Sequence, residues 1–139
     1  MTAAGELPVP APAVNPETQP FWDAAAAGTF LLKRCLDCEA VIWYPRQLCP
    51  DCSSLDTEWF AASGRGEIYT YTINYRGDGA YRDSAPYVIA YVELEEGPRV
   101  LTNIVETPHE VLAVGLGVEV VFQAAADGAV LYRFRARSA

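Results

Sequence analysis

Lysine is almost missing from this chain. Lys33 is the only one among 139 residues, and every other basic side chain is an arginine. Against 18 acidic residues this leaves a net charge of −8, which argues against a non-specific nucleic-acid binder, whose affinity rests on cationic contacts to phosphates. Histidine is as scarce: His109 stands alone, follows Pro108, and reads as a surface-loop residue. With no second histidine, no cysteine outside one paired motif and no Gly-x-Ser-x-Gly, neither a triad nor a nucleophile elbow is visible. No apolar run approaches the length needed to span a bilayer. The stretch MTAAGELPVPAPAVNPETQP lacks a basic n-region and an apolar h-region, so a signal peptide is not expected. The cytoplasm, where thiols stay reduced, is the expected compartment.

What remains is globular in composition, with 51% hydrophobic and 20% charged residues. The length suits one ordinary domain or two small ones sharing a core. Residues 1–15, rich in alternating Pro and Ala, predict an extended and poorly ordered lead. Residues 16–29 predict a short docking helix, capped by Thr18, with Pro20 in its first turn and Gly28 as its stop. Phe21, Trp22, Ala25 and Ala26 would form its apolar face. From Phe30 the pattern turns to strands: TFLLKRC, AVIWYP and DTEWFAA flank the cysteine pairs within residues 30–62. Residues 63–139 hold GRGEIYTYTINYR, PYVIAYVEL, RVLTNIVE, VEVVFQAAA and VLYRFRA, separated by turn residues. Five strands with one longer connection, Glu110 to Gly117, fit an OB-fold barrel better than a sandwich. The expected class is mainly β: an N-terminal helix, a rubredoxin-like zinc ribbon and a C-terminal OB-fold barrel.

All the cysteines lie in CLDCEAVIWYPRQLCPDC. Cys35 and Cys38 form one Cys-x-x-Cys pair, Cys49 and Cys52 another, with a hairpin-like stretch between. Two such knuckles can offer four thiolates to one tetrahedral ion. A thioredoxin-like redox pair needs a single motif at a helix start, which this is not. The pattern predicts structural zinc, although rubredoxin-type iron uses the same ligands and spacing alone does not separate them. Filled by sulfur on all sides, such an ion has no open position for catalysis. Glu39 and Ser53 follow the second cysteine of each pair, where glycine is common because φ > 0 is favoured.

Other features carry less. The glycines of GRGEIYT precede a strand and not a helix, so they fit no phosphate loop. Glu95 and Glu96 read as a solvated hairpin turn and not an acid/base pair. The loop YRGDGAYRDSAPY interleaves Tyr75, Arg76, Tyr81, Arg82 and Tyr87, side chains enriched at interface hot spots, and would join the first two barrel strands. Arg133, Arg135 and Arg137 alternate on the last strand. They could meet phosphates or an acidic partner, but a charged sheet edge is the favoured reading.

With helix, four-cysteine ribbon and barrel in this order, the chain resembles the acyl-CoA-associated zinc-ribbon/OB-fold family. The residues that carry the resemblance are FWDAAAAGTFLLKRCLDCEAVIWYPRQLCPDC, SGRGEIYTYT, APYVIAYVEL, GPRVLTNIV and VGLGVEVVF. It looks most like the members that accompany thiolase-like, lipid-transfer-protein-type enzymes in sterol side-chain breakdown. The resemblance implies a non-catalytic subunit of a thiolase-like or aldolase complex acting on acyl-CoA thioesters. It also implies structural zinc on Cys35, Cys38, Cys49 and Cys52 and a hetero-oligomer that can meet acyl-CoA at its interface, while acidity and the lack of a spanning run set nucleic acid and membrane aside. A nucleic-acid-binding ribbon/OB module is the alternative, since both parts recur there. A stand-alone acyl-CoA enzyme is a third, weakened by the missing base and nucleophile.

Overall fold

The computed structural model describes residues 7–125 and 128–138. Helix α1 spans Gln19–Ala26, followed by β1 (Leu31–Cys35), β2 (Val41–Ile42) and β3 (Thr57–Ala61). Strands β4 (Arg65–Asn74), β5 (Tyr87–Leu94), β6 (Arg99–Ile104), β7 (Gly117–Ala124) and β8 (Val130–Ala136) complete the fold. The first three strands form an antiparallel sheet in the order β2-β1-β3, and the last five close into a barrel, β4-β5-β6-β8-β7. This is the ribbon-plus-OB architecture expected from the sequence.

Helix α1 stops where expected. Gly28 adopts φ +88°, and the N–H groups of Ala27, Gly28 and Thr29 donate to the Ala24 and Ala25 carbonyls at 2.9–3.0 Å. Its start differs from expectation, because the Thr18 side chain caps nothing. Pro20 holds the second helical position and has no N–H for a cap to bind. Thr18 instead closes the preceding turn: its Oγ1 accepts from the Asn15 N–H at 3.2 Å, and its own N–H donates to Asn15 Oδ1 at 3.1 Å. The buried face is Phe21 and Ala25, one turn apart; Trp22 is half-buried and Ala26 is exposed.

Phe21 is fully buried and meets the rings of Trp22, Phe30, Trp43, Tyr44 and Tyr132 at centroid distances of 4.9–6.2 Å. Helix, ribbon and barrel all contribute to this junction, which extends the barrel core to β1 through Phe30 and Leu32. Edge-to-face aromatic pairs add about 0.5–1.5 kcal/mol each beyond their buried area, so the junction holds the modules as one body. Trp22 Nε1 donates to the Tyr44 hydroxyl at 3.0 Å, giving the half-wet end of that indole a partner. Periodicity marks Phe21 and Trp22 as an apolar face but not what they meet, because the rings lie on four separated stretches of chain.

Inside the barrel, alternation decides burial. Val88, Ala90, Val92 and Leu94 point inward from β5, and Val100, Thr102 and Ile104 from β6. Gly66 on β4 is required by closeness, since a Cβ there would meet the Glu93 carbonyl oxygen at 2.4 Å. The barrel closes where β8 meets β6 in parallel, with Ile104 opposite Phe134 and the Val105 N–H on the Phe134 carbonyl at 2.8 Å. Strand β8 therefore lies between β6 and β7 and has no free edge. This corrects the edge reading of Arg133, Arg135 and Arg137. The error is physical in origin: an arginine stripe signals an edge only in an open sheet, and closure is not encoded locally.

The proline-rich lead has neither helix nor strand where it is described, and the expectation for residues 1–6 lies outside the described residues. Leu7 is buried, and the Pro8 carbonyl accepts from Arg133 Nη2 at 2.7 Å, so these two residues are docked on the barrel.

Candidate metal centre and contact loop

Strand β1 ends on Cys35, and the chain then makes two turns of identical backbone pattern. In the first, the Glu39 N–H donates to the Cys35 carbonyl (3.0 Å) and the Cys35 N–H to the Ala40 carbonyl (2.9 Å). In the second, Ser53 donates to Cys49 and Cys49 to Ser54, both at 2.9 Å. Glu39 and Ser53 each take φ +67°, so the left-handed position is kept without glycine. Further bonds tie the knuckles together: the Ser54 hydroxyl donates to Asp37, and the Leu36 N–H to the Asp56 carbonyl at 2.8 Å.

The four sulfurs converge. Cys35 Sγ lies 3.5 Å from Cys52 Sγ, Cys38 Sγ 3.7 Å from Cys49 Sγ, and all four fall within 4.8 Å of one another. A tetrahedron with arms of about 2.3 Å has edges of about 3.8 Å, so the cluster has the size of a closed sulfur site. These separations far exceed a disulfide bond of about 2.05 Å, and all four cysteines are free. Cys35 and Cys49 are buried against Ile42, whereas Cys38 and Cys52 face outward.

The electrostatics agree. The Cys38 N–H points at Cys35 Sγ (3.4 Å) and, against burial, brings that thiol down to about 7. Cys52 is pushed up to about 12: the Ser54 N–H favours its thiolate, but the hydrogen bond shared with Cys35 and burial outweigh that. Four thiols this close do not all ionise alone. A bound cation is what lets them do so together, and the donor set fits one.

The contact-loop residues sort into two groups. Tyr75 (74% exposed), Arg76 and Arg82 face solvent. Tyr81 and Tyr87 are half-buried, their rings 5.5 Å apart, and Tyr81 sits on a 3₁₀ turn, Gly79–Ser84, that folds back on the barrel. Gly77 is required there, since a Cβ would lie 2.2 Å from the Tyr81 carbonyl oxygen. Tyr81, Tyr87, Ile89, Leu101, Thr102 and Asn103 line a groove of about 410 Å³ along β5 and β6. In OB-folds the second and third strands commonly form the ligand face.

The arginines of β8 and the Glu95–Glu96 pair have partners within the chain. Arg135 pairs with Glu106 and Glu119, both at 3.0 Å, and Arg137 with Glu95 at 3.7 Å. Glu95 also meets Arg65 at 3.4 Å, while Glu96 Oε2 accepts from the Ser63 N–H at 2.8 Å, as befits a hairpin turn. Arg133 is 3% exposed, a burial that the stripe of alternating arginines did not reveal. His109 is half-buried on the 3₁₀ turn His109–Val111.

A four-cysteine ribbon joined through an aromatic core to a five-stranded OB barrel defines the class. Two family models divide this chain in the same order: "ChsH2, rubredoxin-like zinc ribbon domain" over residues 22–58 and "ChsH2, C-terminal OB-fold domain" over residues 59–123. A "DUF35 domain-containing scaffold protein" of Methanocaldococcus jannaschii is 36% identical over 107 residues, 73% of this chain and 76% of that one. A chain of the solved "Ltp2-ChsH2(DUF35) aldolase" superposes with a TM-score of 0.79 at 30% identity, covering 90% of this chain and 98% of that one. The "3-oxo-4,17-pregnadiene-20-carboxyl-CoA hydratase alpha subunit" of Mycobacterium tuberculosis is 26% identical over 117 residues, 80% of this chain but 35% of that protein. The protein belongs to the ChsH2 (DUF35) family of zinc-ribbon/OB-fold proteins.

Proposed function

We propose that this chain is a non-catalytic accessory subunit of a thiolase-like or aldolase enzyme that acts on acyl-CoA thioesters, in steroid side-chain degradation. The observation that carries this reading is the superposition over 98% of a chain from the Ltp2-ChsH2(DUF35) aldolase. The scaffold name of the archaeal relative supports the accessory role, and the hydratase subunit supports a steroidal acyl-CoA. Net charge −8 and the internal pairing of Arg135 and Arg137 weigh against the nucleic-acid reading.

The metal in this reading is one zinc ion held by Cys35, Cys38, Cys49 and Cys52. With every position taken by sulfur it supplies folding energy and no chemistry. The working surface is the Tyr75–Tyr87 loop: exposed Tyr75, Arg76 and Arg82 meet the partner, with Tyr81 and Tyr87 behind them. The protein works in the cytoplasm, where its thiolates stay reduced. No described helix is long and apolar enough to cross a membrane. Capture of the tagged protein from its native lysate tests the proposal. A co-purifying thiolase-like chain supports it, and co-purifying nucleic acid without such a chain contradicts it.

A further inference from the structure

One peptide unit, between Arg46 and Gln47, is held from both sides. Its carbonyl accepts from Lys33 Nζ at 3.2 Å, and its N–H donates to Glu17 Oε2 at 2.7 Å. The two holders come from different elements. Glu17 lies two residues before α1, and Lys33 sits in the middle of β1, opposite Ile42 of β2 and Trp59 of β3. Lys33 is the only lysine of the chain and is 8% exposed. Taking an ammonium out of water is costly, and an apolar side chain beside Trp59 would fill the place at lower cost. What an apolar side chain lacks is a charged donor aimed at one carbonyl.

The held peptide lies just upstream of Cys49, the first ligand of the second knuckle. The first knuckle leaves directly from β1, which is paired on both sides. Among the described residues no strand carries Cys49 or Cys52. We propose that Glu17 and Lys33 are positioning residues for the metal centre: by gripping the Arg46–Gln47 peptide they set the second knuckle against the first. This rests on the reading of the four cysteines as a metal site. The same stretch is tied to α1 at Tyr44, which accepts from Trp22 Nε1 at 3.0 Å. The helix and the residues before it thereby belong to the support of a site to which they give no ligand.

Transfer of zinc from the full chain to an excess of a colorimetric chelator, with no partner present, tests this. Lys33→Met is expected to speed release about tenfold. Glu17→Ala is expected to speed it about threefold, its carboxylate being exposed. Lys33→Arg keeps a charged donor and Glu17→Gln an acceptor, and each is expected to restore part of the slow release. Val100→Ala thins the barrel core, a cluster separate from the one that buries Cys35 and Cys49, and should leave the rate unchanged. Release at the wild-type rate from both Lys33→Met and Glu17→Ala overturns the proposal. So does equal acceleration in Val100→Ala, which would make release a matter of global stability. Should Lys33→Met fail to fold, Glu17→Ala and its glutamine counterpart decide. A wild-type chain that takes up no zinc overturns the metal reading and this inference together, whereas a zinc-bearing chain with unresponsive variants overturns this inference alone.

Discussion

Glu39 and Ser53 share the same backbone angle, φ +67°, each one residue after the second cysteine of its pair. Neither is glycine, although left-handed backbone costs an ordinary residue about 1 kcal/mol or more. The geometry of the two knuckles is therefore imposed on residues that do not favour it, and convergence of four sulfurs is what over-determines it. Glu39→Gly and Ser53→Gly are each expected to raise the thermal midpoint by roughly 2–4 °C, with metal content unchanged. A fall in midpoint in both variants would show that the angle carries no strain.

One equivalent of zinc per chain is expected on elemental analysis. Cys49→Ser should abolish binding and destabilise the ribbon strongly, because metal affinity here is part of the folding free energy. Four thiols titrating freely in the native protein, without a chelator, would contradict the closed site. Iron in place of zinc would leave the fold argument standing and correct the metal.

The aromatic junction gives the largest effect expected from a single change. Phe21→Ala should cost about 3–5 kcal/mol in chemical denaturation, because a buried phenyl and its cavity are both lost. The more conservative Trp22→Phe keeps a ring beside Phe21 and Tyr132 but loses the bond to Tyr44 and part of the indole's packing, and should cost about 1–2 kcal/mol. If Phe21→Ala melts like wild type, the helix does not join ribbon to barrel.

The strands and the four-cysteine cluster were legible in the sequence for simple reasons. The barrel strands stand apart between Gly-, Pro-, Asp- and Glu-containing turns, and a paired Cys-x-x-Cys spacing has few other uses, whereas the alternation along β4 breaks at a register shift between Ile68 and Thr70. Barrel closure was not, because β8 meets β6 through a single registered pair, Ile104 and Phe134, far apart in sequence. The fate of Arg133 was hidden for the same reason: what covers it, Pro8, lies at the other end of the chain. Thr18 was misread because a cap was inferred from residue type, while Pro20 removes one of the two donors a cap would bind and the Thr18 hydroxyl is turned to the Asn15 N–H.

Lys33 gives a test by pH. Burial lowers its pKa from 10.5, with Glu17 opposing, while Nζ donates to the Arg46 carbonyl at 3.2 Å and lies 4.9 Å from the Trp59 ring centre. A lysine whose folded pKa is lowered binds fewer protons folded than unfolded between the two pKa values, so its destabilising contribution is full below that window and fades as pH rises towards 10.5. Lys33→Met should therefore be no less stable than wild type at pH ~7, its relative advantage shrinking at high pH. An advantage that grows with pH would reverse the sign of this argument.

On the contact surface, the double change Tyr75→Ala with Arg82→Ala should weaken partner binding by about 2 kcal/mol, roughly thirtyfold. The thermal midpoint should hardly move, since both side chains are exposed. Calorimetric titration with unchanged affinity would mean the loop is merely solvated.

Reconstitution tests the accessory role most directly. The purified chain, the thiolase-like subunit that captures with it, and the two together would each be assayed on acyl-CoA thioesters, steroidal ones included. The account predicts no turnover by this chain alone and full activity only for the pair. Turnover by this chain alone, abolished by a point change within it, would contradict the account, and so would a partner equally active without it.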